Sequence, residues 1–360
     1  MTLVRYRATL TQYLIEQRRL HPEATGAFND LILAVAQACK AIAKSVAYGS
    51  LAGVGGGLAA VCPPQEDVRP LVEVAQEAFV RATEWEGVLA GLASAETEAP
   101  ICIAEEYPRG SYLLVFDPLD GFGKMALNVS MGSFFSVLRA PTRGTDPHEA
   151  DFLQPGAEQV AAGYAIYGPS TMLVLTVGNG VVGFTLDPEI GEFLLTHPEI
   201  RIPETTCEFA INSSNSRFWQ APVKRYVEEC LAGATGPRGK DFNMRWVASL
   251  VAEVHSVLMR GGVFLFPRDT KEATKPGRLH LLFECDPIGM LVEQAGGRAS
   301  TGETPVLDVV PTALGQRTGF VFGSKAEVEL IEEYHRTTVA QDTDAETPLF
   351  NTRGLFRTPD

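Results

Sequence analysis

Residues 113–137 read LLVFDPLDGFGKMALNVSMGSFFSV, and this stretch organises the rest of the chain. The apolar run 113–116 reads as a buried strand leading into Asp117. The segment Asp117-Pro118-Leu119-Asp120-Gly121 then turns away from it, because Pro and Gly punctuate apolar runs. Two carboxylates three residues apart at a strand end can converge on one point. Hard oxygen donors of that kind suit Mg²⁺ or Mn²⁺. Asp and Pro are also ordinary turn formers, so the pair alone leaves a metal site and a plain turn equally open.

Composition sets the frame around this stretch. With 360 residues, 45% of them hydrophobic and 21% charged, the chain is a soluble globular type long enough for one large or two medium domains. The net charge of −14 argues against nucleic acid or an anionic membrane surface as partner. It also requires that any site for a phosphorylated sugar be furnished with local cations. The six cysteines are scattered without a C-x-x-C pair, which fits reduced thiols and a cytoplasmic location. The N-terminal MTLVRYRATLTQYLIEQRR lacks the pattern of a signal peptide. No run approaches the ~18 apolar residues of a membrane span.

Outward from the opening stretch the pattern alternates. Phe28, Leu31, Ile32, Val35, Cys39, Ile42 and Val46 recur at helical spacing after Thr25, a suitable cap. Residues 51–65, LAGVGGGLAAVCPPQ, form a Gly-rich loop without a dinucleotide fingerprint. A helix follows with Pro70 in its first turn. Residues 140–155 are a polar insertion. The runs 172–177 and 181–186 around Gly178-Asn179-Gly180 form a hairpin, and 191–195 adds a strand. A domain boundary is expected near residue 200. Beyond it come a strand at 209–212, a helix at 223–231, a helix at 244–259 and a strand at 263–266. A strand at 279–284 ending in Glu284, a helix at 287–295 and a last helix at 325–335 complete the reading. Residues 337–360 lack helical periodicity and are expected to be loose. The expected organisation is 1–200, 201–336 and a 337–360 tail.

FDPLDG followed by NVSMGSFFSV closely resembles the metal and phosphate loop of class 1 fructose-1,6-bisphosphatases. The resemblance runs from about residue 13 to residue 335 and includes TGAFN, YPRGSYLLVFDPLDG, YGPSTMLVLTVGNG, GPRGKDFNMRW and LLFECDPIGMLVEQAGGRAST. It implies an α/β fold layered α-β-α-β-α, that of the inositol monophosphatase/fructose-bisphosphatase superfamily. It implies a Mg²⁺ (or Mn²⁺) centre built from Asp117, the Leu119 carbonyl, Asp120, Glu284 and Glu96, with Glu96 and Asp120 as catalytic groups. It places substrate phosphates on Gly121, Phe122, Gly123 and Lys124, and on Asn212, Lys275 or Arg278. Arg245 matches the arginine that reaches across from a neighbouring subunit, which implies a homo-oligomer, a tetramer in this family. Thr25, Gly26 and Tyr112 match an AMP-type effector site, where Ser111 replaces the Lys of some members.

The chain departs from the family pattern at specific places. Val72 stands where the family has a water-activating Asp, with Glu66 and Glu73 as nearby acids. Ala95 replaces a bridging Glu, with Glu98 further along the loop. Phe122-Gly123-Lys124 replaces Ser-Ser-Asn. Phe266 replaces a Tyr, and His280 an Arg. Lys124 could bind phosphate, stand in for a cation, or face solvent. Three functions follow from the resemblance: a Mg²⁺-dependent fructose-1,6-bisphosphatase with a remodelled site, an inactive homologue serving as a sugar-phosphate-binding or regulatory subunit, and a phosphatase for a related sugar or inositol phosphate.

Overall fold

The computed structural model describes residues 7–20, 26–49, 69–142, 144–272 and 274–345. Three helices come first, α1 (Leu10–Leu20), α2 (Gly26–Tyr48) and α3 (Arg69–Thr83). Strands β1 (Leu89–Ser94), β2 (Ile101–Cys102), β3 (Tyr112–Asp120), β4 (Met131–Arg139), β5 (Ala161–Tyr167), β6 (Thr171–Thr176), β7 (Val181–Asp187) and β8 (Glu192–Ile200) form one sheet in the order β2-β1-β3-β4-β5-β6-β7-β8. All its neighbours are antiparallel except β1 and β3. A short helix, α4 (Glu149–Phe152), sits in the polar insertion. The second half contributes β9 (Glu208–Ile211), α5 (Ala221–Leu231), β10 (Asn243–Met244), α6 (Leu250–Arg260), β11 (Val263–Phe266), β12 (Leu279–His280), α7 (Asp286–Gln294), β13 (Arg298–Ser300), β14 (Arg317–Thr318), β15 (Phe320–Gly323) and α8 (Lys325–Ala345). Its five-stranded sheet runs β10-β9-β11-β15-β13, and β12 pairs β14 apart from it.

Strand alternation decides how these layers stack. On β5, Ala165 and Tyr167 join the core cluster of α1–α3, while Tyr164 and Ile166 face the cluster of α6 and α7. Successive side chains leave a strand on opposite faces, so one strand serves two cores. Phe264, Phe320 and Phe322 of the second sheet close on α6 and α7 from the other side. Phe209, Val263 and Val321 bury the faces of α5 and α8. The result is helix, sheet, helix, sheet, helix, the expected five layers.

The local reading fails in four places, each for a physical reason. The strand before the acidic pair does not stop at Asp117; it runs on to Asp120 and takes up one extra residue. Asp117 pairs with Phe134 but Asp120 with Gly132, a β-bulge at Pro118 and Leu119. The expected strand 279–284 survives only as β12. From Leu281 to Cys285 the chain winds into a π-helical turn leading directly into α7. A short apolar run fits strand or helix equally well, and here Leu281 goes to one cluster and Leu282 and Phe283 to another. The helix expected from residue 244 begins at Leu250. Glu253 accepts the Val247 N–H at 2.6 Å and the Ala248 N–H at 3.3 Å, holding 247–248 in a turn with Ala248 at φ 62°. Helix α8 does not end at 335 but extends to Ala345, so part of the expected loose tail is helical. Thr337 and Thr338 bond back to the carbonyls of Glu333 and Tyr334, which satisfies their hydroxyls within the helix.

Helix α2 is long and apolar enough by composition to cross a bilayer, with hydropathy 1.4 over its most apolar stretch. Leu31, Ile32, Val35, Cys39 and Ile42 are instead fully covered within the first core cluster, the ordinary fate of a core helix.

Candidate active site

The bulge in β3 and the turn before α7 bring three acids together. Oxygens of Asp117, Asp120 and Glu284 lie within 4.8 Å of one another. Each is held by backbone. Asp117 accepts the Leu119 N–H at 3.1 Å, Asp120 accepts the Val251 N–H at 3.0 Å, and Glu284 accepts the His280 N–H at 2.6 Å. The Asp120 partner belongs to the first turn of α6, where unpaired N–H groups and the helix dipole favour negative charge. Ser249, at the N-cap of α6, donates its hydroxyl to the Ser130 carbonyl at 2.9 Å, a second tie between that helix and the loop after β3.

These contacts do not neutralise the acids. Burial, then the charges of Glu284 and Asp120, push Asp117 well above the usual carboxylate range, and Glu96 adds to the effect. Burial and Asp120 push Glu284 up to about 8. His280 offers no compensating charge, because burial and Arg317 lower it to about 4 and keep it neutral. Three crowded carboxylates, with the proton affinity of Asp117 and Glu284 raised, are the donor set a hard divalent cation satisfies, and Asp117, Asp120 and Glu284 could hold one.

Glu96 is exposed, on the loop after β1, and its charge reaches Asp117. Its N–H bonds to the Ser94 hydroxyl at 3.2 Å, and that hydroxyl bonds to Gln76 of α3 at 3.1 Å. Sequence reasoning did not find this brace, since Gln76 and Ser94 carry no motif. Glu98 is an exposed loop acid. Ala95 is half-buried, and its N–H continues the β1–β3 ladder to Phe116. Val72 is 5% exposed and belongs to the same apolar cluster as Phe79 and Phe116. Its neighbour Glu73 is exposed. Glu66 and Thr25 lie outside the described residues.

Past Asp120 the chain forms a 3-10 turn, Phe122–Leu127, entered through Gly121 at φ 78°. Gly121 is in the left-handed region that glycine adopts without a Cβ penalty. Gly123 is exposed, and a Cβ added there would meet no other residue within 4 Å, so that side of its backbone is open to approach. The side chains of Phe122 and Lys124 lie outside the described part of the structure.

A second pocket gathers Asn212, Asn215, Trp219, Phe266, Asp269 and Arg278. Asn212 caps the turn after β9, accepting the Ser214 N–H at 3.1 Å and its hydroxyl at 2.6 Å. Arg278 pairs with Asp269 at 3.4 Å. Of the two cations expected here, Arg278 lines the pocket, whereas Lys275 is exposed on the preceding turn. Asn215 and Asp269 were not anticipated. The spacing Asn212 to Asn215, one turn after a strand, is the signal that would have found the former. Strand β12 connects this pocket to the carboxylates, since Arg278 is two residues from the His280 amide that holds Glu284. Arg245 stands apart and exposed, 3.5 Å from Glu208. Of the expected effector residues, Tyr112 is buried and faces Phe28, with ring centroids 6.0 Å apart. That contact brings the start of β3 to the first turn of α2, where Gly26 lies.

Five layers with an acidic cluster at a strand bulge make a layered α/β fold with a candidate divalent-cation site. The particular family follows from comparison. The family model for the fructose-1-6-bisphosphatase N-terminal domain matches residues 8–198, and the one for the C-terminal domain matches residues 202–336. The class 1 fructose-1,6-bisphosphatase of Hydrogenophilus thermoluteolus is 66% identical over 97% of this chain and 97% of its own length. That of Rhodospirillum rubrum is 54% identical over 98% of each. The crystal structure of Leishmania major fructose-1,6-bisphosphatase in holo form superposes with a TM-score of 0.82 at 36% identity, covering 91% of this chain and 99% of that one. The chain belongs to the fructose-1,6-bisphosphatase family.

Proposed function

We propose that the chain is a Mg²⁺-dependent phosphatase for a bisphosphorylated sugar of the fructose 1,6-bisphosphate kind, with a slowed chemical step. The observation that carries this reading is the convergence of Asp117, Asp120 and Glu284. In this reading those three acids, with Glu96 and the Leu119 carbonyl, hold the metal. Mg²⁺ when bound neutralises phosphoryl charge and lowers the pKa of water. The α6 N-terminus fixes Asp120, and the backbone of residues 121–123 receives the phosphate to be cleaved. Asn212 and Arg278 orient the distal phosphate, joined by Lys275, and Arg245 serves a neighbouring subunit of a homotetramer. An AMP-type effector would bind at Gly26 and Tyr112. The described cysteines are free thiols, in keeping with a cytoplasmic enzyme.

The slowed step rests on Val72 and Ala95, which put apolar groups where the family places two acids. Losing one such group costs about 10²–10³ in rate, and groups that act together do not add. The same two residues support a second reading, a sugar-phosphate-binding regulatory subunit. Phosphate release from fructose 1,6-bisphosphate under Mg²⁺ titration separates them. Metal-dependent release that disappears in Asp117→Ala supports the first. Binding of the sugar phosphate without release supports the second.

A further inference from the structure

The β3 bulge frees the Pro118 carbonyl from the ladder to β4, and a side chain takes the place of the missing strand partner. The Ser133 hydroxyl donates to that carbonyl at 2.7 Å. Ser133 is 0% exposed and belongs to the β4 segment facing the extra residue. Its oxygen lies 2.7 Å from the Tyr167 hydroxyl at the end of β5. The Cys39 thiol of α2 lies beside Tyr167. Tyr167 and Cys39 are likewise buried.

The direction of this chain is determined. A carbonyl only accepts, so the Ser133 proton is committed to Pro118 and the Tyr167 proton to Ser133. Neither hydroxyl has a spare donor. The line runs from the end of β5, across β4, to the peptide between Asp117 and Leu119. We infer that Ser133 and Tyr167 are positioning residues for the metal loop: they fix the orientation of the Pro118 peptide and hence the Asp117 and Leu119 donors on either side of it. This rests on the metal-centre reading above. Outer groups that orient metal donors typically alter metal affinity by about 10–100-fold when removed.

The test uses the full-length protein and Mn²⁺ alone, with affinity read by isothermal titration calorimetry and stability by thermal unfolding. Tyr167→Phe keeps the ring and removes the donor; Ser133→Ala removes the last link; Ser133→Thr keeps a hydroxyl on the same carbon. The expected result is Mn²⁺ binding weakened about tenfold in Tyr167→Phe and Ser133→Ala and restored in Ser133→Thr. For Tyr167→Phe the weakening is expected at an unchanged unfolding temperature, which separates positioning from general loosening. Wild-type affinity in both Tyr167→Phe and Ser133→Ala overturns the inference, as does a Ser133→Thr variant as weak as Ser133→Ala. The parent protein and Asp117→Ala run alongside. If the parent fails to bind Mn²⁺, or Asp117→Ala binds as well as the parent, the metal-centre reading itself fails and takes the positioning role with it.

Discussion

Replacing Glu284 by Gln tests the electrostatics of the carboxylate cluster without touching its packing. The amide oxygen of Gln can accept the His280 N–H that Glu284 now accepts at 2.6 Å, so the packing is kept and only the titrating group is lost. In the folded protein Glu284 holds its proton up to about pH 8, against 4.5 for an ordinary glutamate. Between those values the native state binds more protons than the unfolded state. Stability therefore falls as pH rises from about 4.5 and levels off above about 8. At about 1.4 kcal/mol per pH unit, the deficit is about 3 kcal/mol at pH 7 and about 5 kcal/mol above pH 8. Glu284→Gln removes it, so the metal-free variant is expected to be more stable than the parent by a margin that grows across this window. For a chain of this size the margin at pH 7 corresponds to roughly 5 °C in Tm. The assay is thermal unfolding in EDTA from pH ~5 to ~9, repeated with Mg²⁺, which should stabilise the parent and leave the variant unmoved. A margin that does not widen with pH, or a metal-free parent more stable than the variant at pH ~8, refutes the reasoning.

Three further outcomes are expected. Ala248→Gly relieves a left-handed backbone at φ 62° and should stabilise the protein by about 1 kcal/mol, read as a higher Tm with the loop before α6 unchanged in function. Glu327 is 2% exposed and bonds Arg238 at 2.6 Å, Lys240 at 3.3 Å and the Tyr226 hydroxyl at 2.8 Å. Glu327→Ala strands those cations and should cost about 3–5 kcal/mol in chemical denaturation. If Val72 and Ala95 slow the chemistry as proposed, Val72→Asp and Ala95→Glu together raise the phosphate-release kcat on the order of 10²-fold; an unchanged or lower kcat in a folded double variant refutes that proposal.

The opening stretch made the centre of the fold legible because it combines two local signals, an apolar run and a pair of acids bounded by Pro and Gly. The 178–180 hairpin was legible for the same reason: Gly178 and Gly180 take φ 84° and 79°, as its turn requires. Glu284 was expected at the end of a strand, but Leu281-Leu282-Phe283 carries no periodicity that tells a strand from the helical turn found there. The start of α6 was misplaced because it depends on Glu253 reaching back to Val247 and Ala248. Nothing local signals that reach. Contacts such as Val251 to Asp120, 131 residues apart, are set by the folded layers and have no trace in a single sequence.

The helical layer of α6 and α7 has a consequence for how the chain can be divided. The two family models meet between residues 198 and 202, yet Phe134 and Tyr164 on one side of that seam share a core with Ile288, Leu291 and Phe322 on the other. A cut at the seam would leave two fragments, each baring half of an interior, neither with a finished surface of its own. Chimeras that exchange the first 200 residues between relatives would have to match the packing of that slab residue for residue, whereas exchanges that keep both sheets and the slab from one parent would not. The two sheets and the helical slab between them therefore pack as one body, although the family models divide the chain near residue 200.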